Sequence, residues 1–188
     1  MFITHNLNIG YSGESFLENL NLSLDSGKKL KVALVGENGS GKTTFLKILA
    51  GEQENFKGQV SVKEGIKIAW LRQHSSLEKG QTVENTITKT LNLSQTELWR
   101  LLVHYKLKDL RNANTETLSG GEKKRLEMAI LIHSKPDILF LDEATNHLDL
   151  YTQEELQNFL ENIEQTIVYV SHDNYLIEGL GADELIEL

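Results

Sequence analysis

The chain has 188 residues, which fits a single domain over residues 1–188 with a buried core of ordinary size. Its 27 acidic and 19 basic residues give a net charge of −8, which argues against a broad nucleic-acid-binding face. The absence of cysteine excludes disulfides and cysteine metal sites. No apolar run approaches the ~20 residues that cross a bilayer, and no secretory signal is visible, so we expect a cytoplasmic protein without direct membrane insertion.

The first half combines strands with a glycine-rich loop. Residues 19–24 alternate polar and apolar side chains, which predicts a half-buried strand. Residues 60–63 and 66–71 flank two turn residues and predict a hairpin, so these segments indicate a small antiparallel sheet. Residues 30–35 form an apolar strand leading into the loop, and residues 42–50 follow a helical pattern.

The second half alternates helices and strands. Residues 75–114 are predicted to be helical, and Ser94 begins a capping box that opens a helix over residues 98–107. The remaining predicted elements are a helix from Ser119, a strand at 138–141, a helix after Asp149, a strand at 166–170, a short C-terminal helix and a strand at 184–188. This alternation predicts an α/β fold whose mostly parallel sheet is flanked by helices.

Two short clusters of basic residues stand out against the acidic background. Lys28, Lys29 and Lys31 form one, and Lys123, Lys124 and Arg125 form the other. We interpret both clusters as solvated surface.

The motif G-x-x-x-x-G-K-[ST] occurs between the predicted strand and helix. In such a loop the backbone N–H groups surround phosphates, Lys42 places a positive charge between the β and γ groups, and the Thr43 hydroxyl can ligate Mg²⁺. A chance glycine-rich turn would not explain the strand and the helix around it. The predicted nucleotide-binding residues here are Gly36, Glu37, Asn38, Gly39, Ser40, Gly41, Lys42, Thr43 and Thr44.

A carboxylate pair follows the apolar strand at 138–141. Asp142 can hold Mg²⁺ through water, and Glu143 can orient and deprotonate an attacking water. The alternative is that both are solvated residues at a strand end, with Asp142 capping the next turn.

Ser119, Gly120, Gly121 and Glu122 form a capping box at the start of a helix. Two glycines are costly in a first helical turn, but they let an anion approach free N–H groups at the positive helix end. These donors can therefore bind the γ-phosphate of a nucleotide held elsewhere; the alternative is that the segment is only a helix cap.

Three single residues carry weaker signals. His172 follows a buried strand and can contact a γ-phosphate and position water, although a lone histidine there is usually a surface residue. Gln73 ends a predicted strand and can sense Mg²⁺ or water. Tyr11 can stack on a base or simply be an aromatic residue at a strand edge.

These residues, in this order, resemble the ATP-binding cassette (ABC) ATPase family over essentially the whole chain. The resemblance implies a P-loop NTPase of ABC type. Its core, here residues 1–74 and 115–188, carries an antiparallel β subdomain, and its helical subdomain spans about 75–114. It implies ATP and Mg²⁺ as cofactors, with adenine stacked on Tyr11.

The resemblance also implies a second ABC cassette as partner. In the family two cassettes form a head-to-tail sandwich, so ATP would lie between the phosphate loop of one copy and Ser119, Gly120 and Gly121 of the other. Asp149 would lie near the shared interface. One cassette would then supply only half of each ATP site.

Residues 144–149, ATNHLD, look like the ABC-F pattern. That subfamily acts on ribosomes as translation factors, and some members confer antibiotic resistance by ribosome protection. ABC-F proteins carry two cassettes joined by a helical linker, whereas this chain has one, so the sequence leaves open whether it is half of a longer protein. Two alternatives also stay open: the ATPase subunit of a transporter with separate transmembrane subunits, and a non-hydrolysing, ATP-gated binding module.

Overall fold

A computed structural model describes residues 2–11, 14–24, 28–73, 75–143, 148, 150–170 and 180–188. The strands are β1 Phe2–Tyr11, β2 Glu14–Leu24, β3 Lys31–Val35, β4 Lys57–Val62, β5 Ile68–Leu71, β6 Ile138–Asp142, β7 Thr166–Val170 and β8 Glu184–Glu187. The helices are α1 Lys42–Leu49, α2 Val83–Thr90, α3 Gln95–His104, α4 Gly120–His133 and α5 Leu150–Glu161. Two short 3-10 helices, Lys108–Leu110 and Thr115–Thr117, precede α4.

The chain divides into two compact units. The first unit contains Met1–Trp70, Pro136–Glu143 and Ile163–Leu188, and the second contains Leu71–Lys135 and Ala144–Asn162. The second unit is larger than the predicted helical segment of about 75–114, because it also takes in α4 and α5.

The first unit holds the parallel sheet that the strand–helix alternation predicts. The five-stranded sheet has the order β5-β6-β7-β3-β8, and β3 pairs in parallel with both β7 and β8. Strands β6 and β7 are buried at every position. Their sequences are accordingly almost continuous apolar runs, as expected for strands covered on both faces.

The antiparallel sheet has the order β2-β1-β4. The strand predicted at residues 19–24 lies within β2, with Leu22 and Leu24 buried. The predicted hairpin is wrong. A turn is present, with Gly65 at φ 80°, but β4 pairs with β1, and β5 belongs to the five-stranded sheet. Strand pairing depends on partners that are distant in sequence, and β1 is a ten-residue strand whose backbone can pair with β4.

One core joins both sheets of the first unit to α1. The helix buries Phe45, Leu46, Ile48 and Leu49. Aromatic packing contributes, because the ring of Phe140 in β6 lies 6.2 Å from that of Phe2 and 5.8 Å from that of Trp70, between centroids. This packing fixes α1 and the loop before it to the carboxyl ends of the strands.

The second unit is built from helices with well-formed starts. The predicted capping box at Ser94 is confirmed: the N–H of Glu97 donates to Ser94 Oγ at 3.3 Å, and the N–H of Ser94 donates to Glu97 Oε2 at 2.8 Å. The Ser94 bonds lower the pKa of Glu97. Helix α3 starts at Gln95, three residues before the predicted helix over 98–107, and buries Leu98, Leu101 and Leu102.

An ion pair in the second unit links Arg111 to Glu84 of α2. Arg111 makes two bonds of 2.5 Å to the Glu84 carboxylate, and these bonds lower the pKa of Glu84. Backbone bonds from Val83 N–H to Ala113 O and from Thr115 N–H to Gln81 O run beside it. Among the residues that the structure describes, no helix is long and apolar enough to cross a membrane.

Candidate nucleotide site

The phosphate loop connects β3 to α1 and depends on glycine at its first position. Gly36 has φ 151°, and a Cβ there would collide with the carbonyl oxygen of Leu188 and lie 2.6 Å from Ser40 Oγ. Gly41 caps α1 in the left-handed region, at φ 97°. Glycine at these positions therefore lets the loop backbone adopt conformations and close contacts that a side chain would prevent. A loop whose N–H groups surround an anion requires such backbone freedom.

Lys42 and Ser40 show that the loop suits a polyanion. Lys42 is 6% exposed, and its Nζ donates to Gly36 O at 2.8 Å and Glu37 O at 2.6 Å. The Ser40 hydroxyl is buried and finds no hydrogen-bond partner among the described residues. A buried hydroxyl without a partner costs free energy, and a bound phosphate oxygen would accept its bond. The buried ammonium group of Lys42 would likewise be stabilised by the negative charge of a bound phosphate.

A carboxylate from the neighbouring part of the sheet reaches the start of α1. Thr43 Oγ1 donates to Asp142 Oδ1 at 3.1 Å, and Asp142 is 4% exposed. The parallel registers pair Leu34 with Val170 and Val170 with Asp142, so the ends of β3, β7 and β6 lie side by side. A hydroxyl and a carboxylate are the hard oxygen donors that Mg²⁺ prefers, and the residues fit the ion.

Mg²⁺ usually binds through one or two carboxylates together with phosphate oxygens and water. The described residues contain no cluster of three or more His, Asp or Glu side chains that could hold a metal ion. Thr43 and Asp142 would bind the ion, and Gln73 stays a predicted further ligand.

Glu143 has an unusual backbone conformation. Its φ is 47°, and its N–H donates to Val170 O at 2.9 Å, which extends the β6–β7 pairing by one bond. A non-glycine residue in the left-handed region costs about 1–2 kcal/mol. Such strain clusters at functional sites because the surrounding structure must hold it. The bond to Val170 holds this half-buried residue directly after Asp142.

The signature segment begins α4 in the second unit. The predicted capping box is confirmed, since Glu122 N–H donates to Ser119 Oγ at 3.3 Å and Ser119 N–H donates to Glu122 Oε2 at 2.7 Å. The Ser119 hydroxyl also donates to that carboxylate at 2.7 Å, and these bonds lower the pKa of Glu122. Apart from its chain neighbours and the backbone of α4, no heavy atom of the described residues lies within 4 Å of a Cβ placed on Gly120, so there is open space beside this residue.

The predicted residues that the structure describes are divided between the two units. Lys42, Thr43, Asp142 and Glu143 lie in the first unit, whereas Gln73 and the signature segment lie in the second. Gln73 follows β5 and is exposed. The predicted residues Asp149 and His172, the side chain of Tyr11, residues 144–147 and the predicted C-terminal helix at 171–179 lie outside the described residues, so the roles of these residues stay predictions.

Two features of the site escaped sequence analysis. The carbonyl oxygen of Leu188 lies close to Gly36, and no local sequence pattern predicts this contact. Lys124 lies in a basic cluster that we interpreted as solvated surface, and for Lys124 that interpretation is wrong, since it is 7% exposed. Opposite charges at i and i+3, Lys124 and Glu127, were the available signal.

A strand, a glycine-dependent loop, a helix with a buried lysine and an aspartate at the end of a nearby parallel strand define a P-loop nucleotide-binding domain. The family model described as "ABC transporter" matches residues 17–146. The chain belongs to this family of ATP-binding cassette ATPases.

Similar proteins come from bacterial genomes. The chain is 36% identical over 179 residues to "Probable ATP-binding protein YheS" of Escherichia coli K12, covering 93% of the chain and 28% of that protein. It is 32% identical over 207 residues to "Energy-dependent translational throttle protein EttA" of Haemophilus influenzae, covering 88% and 37%. The chain therefore spans less than two fifths of the length of these curated relatives.

A solved structure shows the same fold. It is described as "Dimeric structure of a post-hydrolysis state of the ATP-binding cassette MJ0796 bound to ADP and Pi" and matches with a TM-score of 0.78 at 23% identity, over 100% of this chain and 94% of that one. The predicted fold class, an ABC-type P-loop fold, is confirmed, as is the prediction that the chain is an ABC ATPase domain most like the ABC-F subfamily.

Proposed function

We propose that this chain is a cassette that binds Mg²⁺-ATP, closes with a second cassette head-to-tail and hydrolyses the nucleotide. The observation that carries the proposal is the grouping of Lys42, Thr43, Asp142 and Glu143 around one loop, with Thr43 Oγ1 3.1 Å from Asp142 Oδ1. Lys42 would hold the β- and γ-phosphates, and the Ser40 hydroxyl would find its missing acceptor there.

Hydrolysis in this site needs little covalent chemistry from the protein. Water attacks the γ-phosphorus in line with the bond to the β–γ bridging oxygen, that bond breaks, and ADP leaves. Glu143 takes the proton from the attacking water, and His172 helps to position that water. Thr43 and Asp142 would hold Mg²⁺, with Gln73 as the proposed further ligand, and the bound ion would supply positive charge for the phosphate oxygens.

The second half of each site would come from another cassette. Ser119, Gly120 and Gly121 would offer N–H donors at the start of α4, and the open space beside Gly120 suits a γ-phosphate presented by a partner. Asp149 would lie near that shared interface, and Tyr11 would stack on the adenine of its own cassette. The dimer of the MJ0796 cassette with ADP and Pi supports this assembly.

We further propose that the cassette belongs to a factor that acts on the ribosome, in translation or in antibiotic resistance by ribosome protection. The name of EttA, a translational throttle protein, supports a role in translation. The alternative is the ATPase subunit of a membrane transporter with separate transmembrane subunits. The description of the matching family favours that alternative.

The nucleotide chemistry is tested with two variants of this chain. Lys42→Ala should lose ATP binding, because it removes the main cation for the phosphates. Glu143→Gln should bind ATP, stop turnover and accumulate as an ATP-bound dimer in gel filtration. Retained affinity in the first variant would contradict the loop assignment, and a monomeric, fully active second variant would contradict both the base and the dimer. Binding without turnover in the wild type would instead indicate a non-hydrolysing module.

The choice of partner is tested by cosedimentation of the Glu143→Gln protein with ribosomes, with Mg²⁺-ATP and without nucleotide. ATP-dependent pelleting would support the ribosomal proposal. The matched control is the Lys42→Ala/Glu143→Gln protein, which cannot hold the nucleotide and should stay in the supernatant. Absence of pelleting from the Glu143→Gln protein would favour the transporter alternative.

A further inference from the structure

A buried ion pair on α4 fastens the backbone on both sides of Gln73. Lys124 Nζ donates to the carbonyl oxygen of Arg72. Glu127 Oε1 accepts the backbone N–H of Ser76 at 3.0 Å. The two side chains are linked to each other, because Lys124 Nζ lies 3.4 Å from Glu127 Oε2. One pair of charges therefore holds the chain just before and just after Gln73.

The ion pair is almost completely removed from solvent. The side chains of Lys124 and Glu127 are only 8% and 10% exposed. Charges removed from water are tolerated when they are paired and hydrogen-bonded, and breaking such a pair leaves a costly buried charge. Glu127 Oε2 has no hydrogen bond within the described part of the chain, so its charge is balanced by the Lys124 ammonium. The two contacts to backbone therefore depend on each other.

The same helix carries the signature segment at its N-terminus. Ser119 caps α4, and Lys124 and Glu127 lie within the next two turns of that helix. An α-helix of this length is close to a rigid rod, because its backbone is fully hydrogen-bonded within itself. Helix α4 and the ion pair therefore link the signature segment to the residues beside Gln73.

We propose that Lys124 and Glu127 are positioning residues that make Gln73 and the signature segment move as one body. This inference rests on the proposed function, in which Gln73 senses the ATP of its own cassette and Ser119 contacts the ATP of the second cassette. The ion pair then transmits the state of one ATP to the other, because a shift of the chain at Gln73 pulls on α4.

A second link shows that the effect of the pair is local. Thr115 N–H donates to Gln81 O and Thr115 Oγ1 donates to Glu78 O, both at 2.9 Å. These bonds hold the chain further along, from Glu78 onward, independently of the ion pair. Removing the pair should therefore remove the contacts of Arg72 O and Ser76 N–H with α4 without unfolding the second unit.

The first test needs no ATPase activity. The Ser76 residue is exposed and lies outside regular structure, where amides exchange fast with solvent unless they are hydrogen-bonded. In wild-type protein, NMR-detected exchange at Ser76 should be slowed about tenfold or more relative to an unstructured peptide. Glu127→Met should lose that protection, because it removes the oxygen that accepts the Ser76 bond. An unprotected Ser76 amide in the wild type would overturn the proposal.

The second test measures turnover in Lys124→Met/Glu127→Met, which removes both charges and leaves neither buried alone. We expect kcat to fall about tenfold, as for a misplaced catalytic group, while KM for ATP stays unchanged because the phosphate loop is intact. The matched control is Lys89→Met/Glu78→Met, which removes an ion pair whose side chains are each 61% exposed. That control should keep the wild-type kcat.

Each outcome has one meaning. An unchanged kcat in the double variant, or a raised KM with unchanged kcat, would overturn the positioning role. If the double variant does not fold, the kcat of Glu127→Gln decides: this variant keeps the size of the side chain but breaks the ion pair, so its kcat should fall, and an unchanged kcat would overturn the positioning role. If the wild-type chain turns over no more ATP than Lys42→Ala, the proposed function fails and the positioning role with it, whereas exchange at Ser76 still reports the contact itself.

Discussion

Replacing Glu143 by glycine should remove activity and yet give a more stable protein than replacing it by alanine. Both changes delete the carboxylate that we propose as the base, so neither variant should turn over ATP. They differ in the backbone, because Glu143 sits at φ 47° and alanine must keep that conformation. Glycine adopts it without steric strain.

The magnitude follows from two opposing terms. The left-handed conformation costs a non-glycine residue about 1–2 kcal/mol, and glycine recovers that free energy. Glycine also has more freedom in the unfolded chain, which lowers its stability by about 0.4–1 kcal/mol. The net difference should be about 0.5–1 kcal/mol in favour of Glu143→Gly, which corresponds to a melting temperature about 1–4 °C higher than that of Glu143→Ala.

The assay is thermal unfolding of the two variants without nucleotide, so that differences in ATP binding do not contribute. The matched control uses Glu154, an exposed residue inside α5 with a helical backbone. There the order should reverse, because glycine in a helix interior costs about 1 kcal/mol relative to alanine. If Glu143→Gly melts at or below Glu143→Ala while the Glu154 pair behaves as expected, the inference of backbone strain at Glu143 is wrong.

Three further changes probe the loop and the signature helix. Gly36→Ala should lower the melting temperature and abolish ATP binding, because the added Cβ would collide with the backbone carbonyl oxygen of Leu188; wild-type nucleotide affinity would contradict this. Thr43→Val should lose about 1 kcal/mol of stability with its hydrogen bond and weaken Mg²⁺-dependent turnover, measured by Mg²⁺ titration of the ATPase rate. The pKa of Glu122 is lower in the folded protein than in the unfolded chain. Its ionised carboxylate therefore stabilises the fold fully above the unfolded pKa, and this stabilisation is lost as pH falls through the lowered pKa. Glu122→Gln should accordingly flatten the acid side of the melting-temperature profile. Identical acid profiles for the two proteins would show that the carboxylate adds nothing to the cap.

Local patterns predicted the parts of the molecule whose interactions are short in sequence. The capping boxes at Ser94 and Ser119 each involve residues three apart, so their chemistry is complete within one helical turn. The strand, loop and helix around Lys42 are equally local, since glycine positions and apolar periodicity define them. These are also the elements that carry the nucleotide-binding prediction.

Pairing and burial were harder to predict because they depend on partners far along the chain. The turn before β5 was found, but the partner of β4 proved to be β1, a strand some fifty residues away that sequence analysis had not identified. Lys124 looked like one of three surface basic residues. It is buried because Arg72 and Glu127 supply partners that a local pattern does not reveal.

The sequence by itself determined the class of chemistry, because a phosphate loop, a signature segment and a carboxylate pair are each short and need specific residue types. It did not determine which side chains meet. Thr43 and Asp142 are separated by 99 positions, and only the parallel register of β3, β7 and β6 brings the hydroxyl to 3.1 Å from the carboxylate. The tertiary structure likewise decided that α4 reaches back to both sides of Gln73. The physical reason is the same in both cases. A strand pairs with, and a buried charge is compensated by, residues that are distant in sequence, and only the packing of the core determines which residues these are.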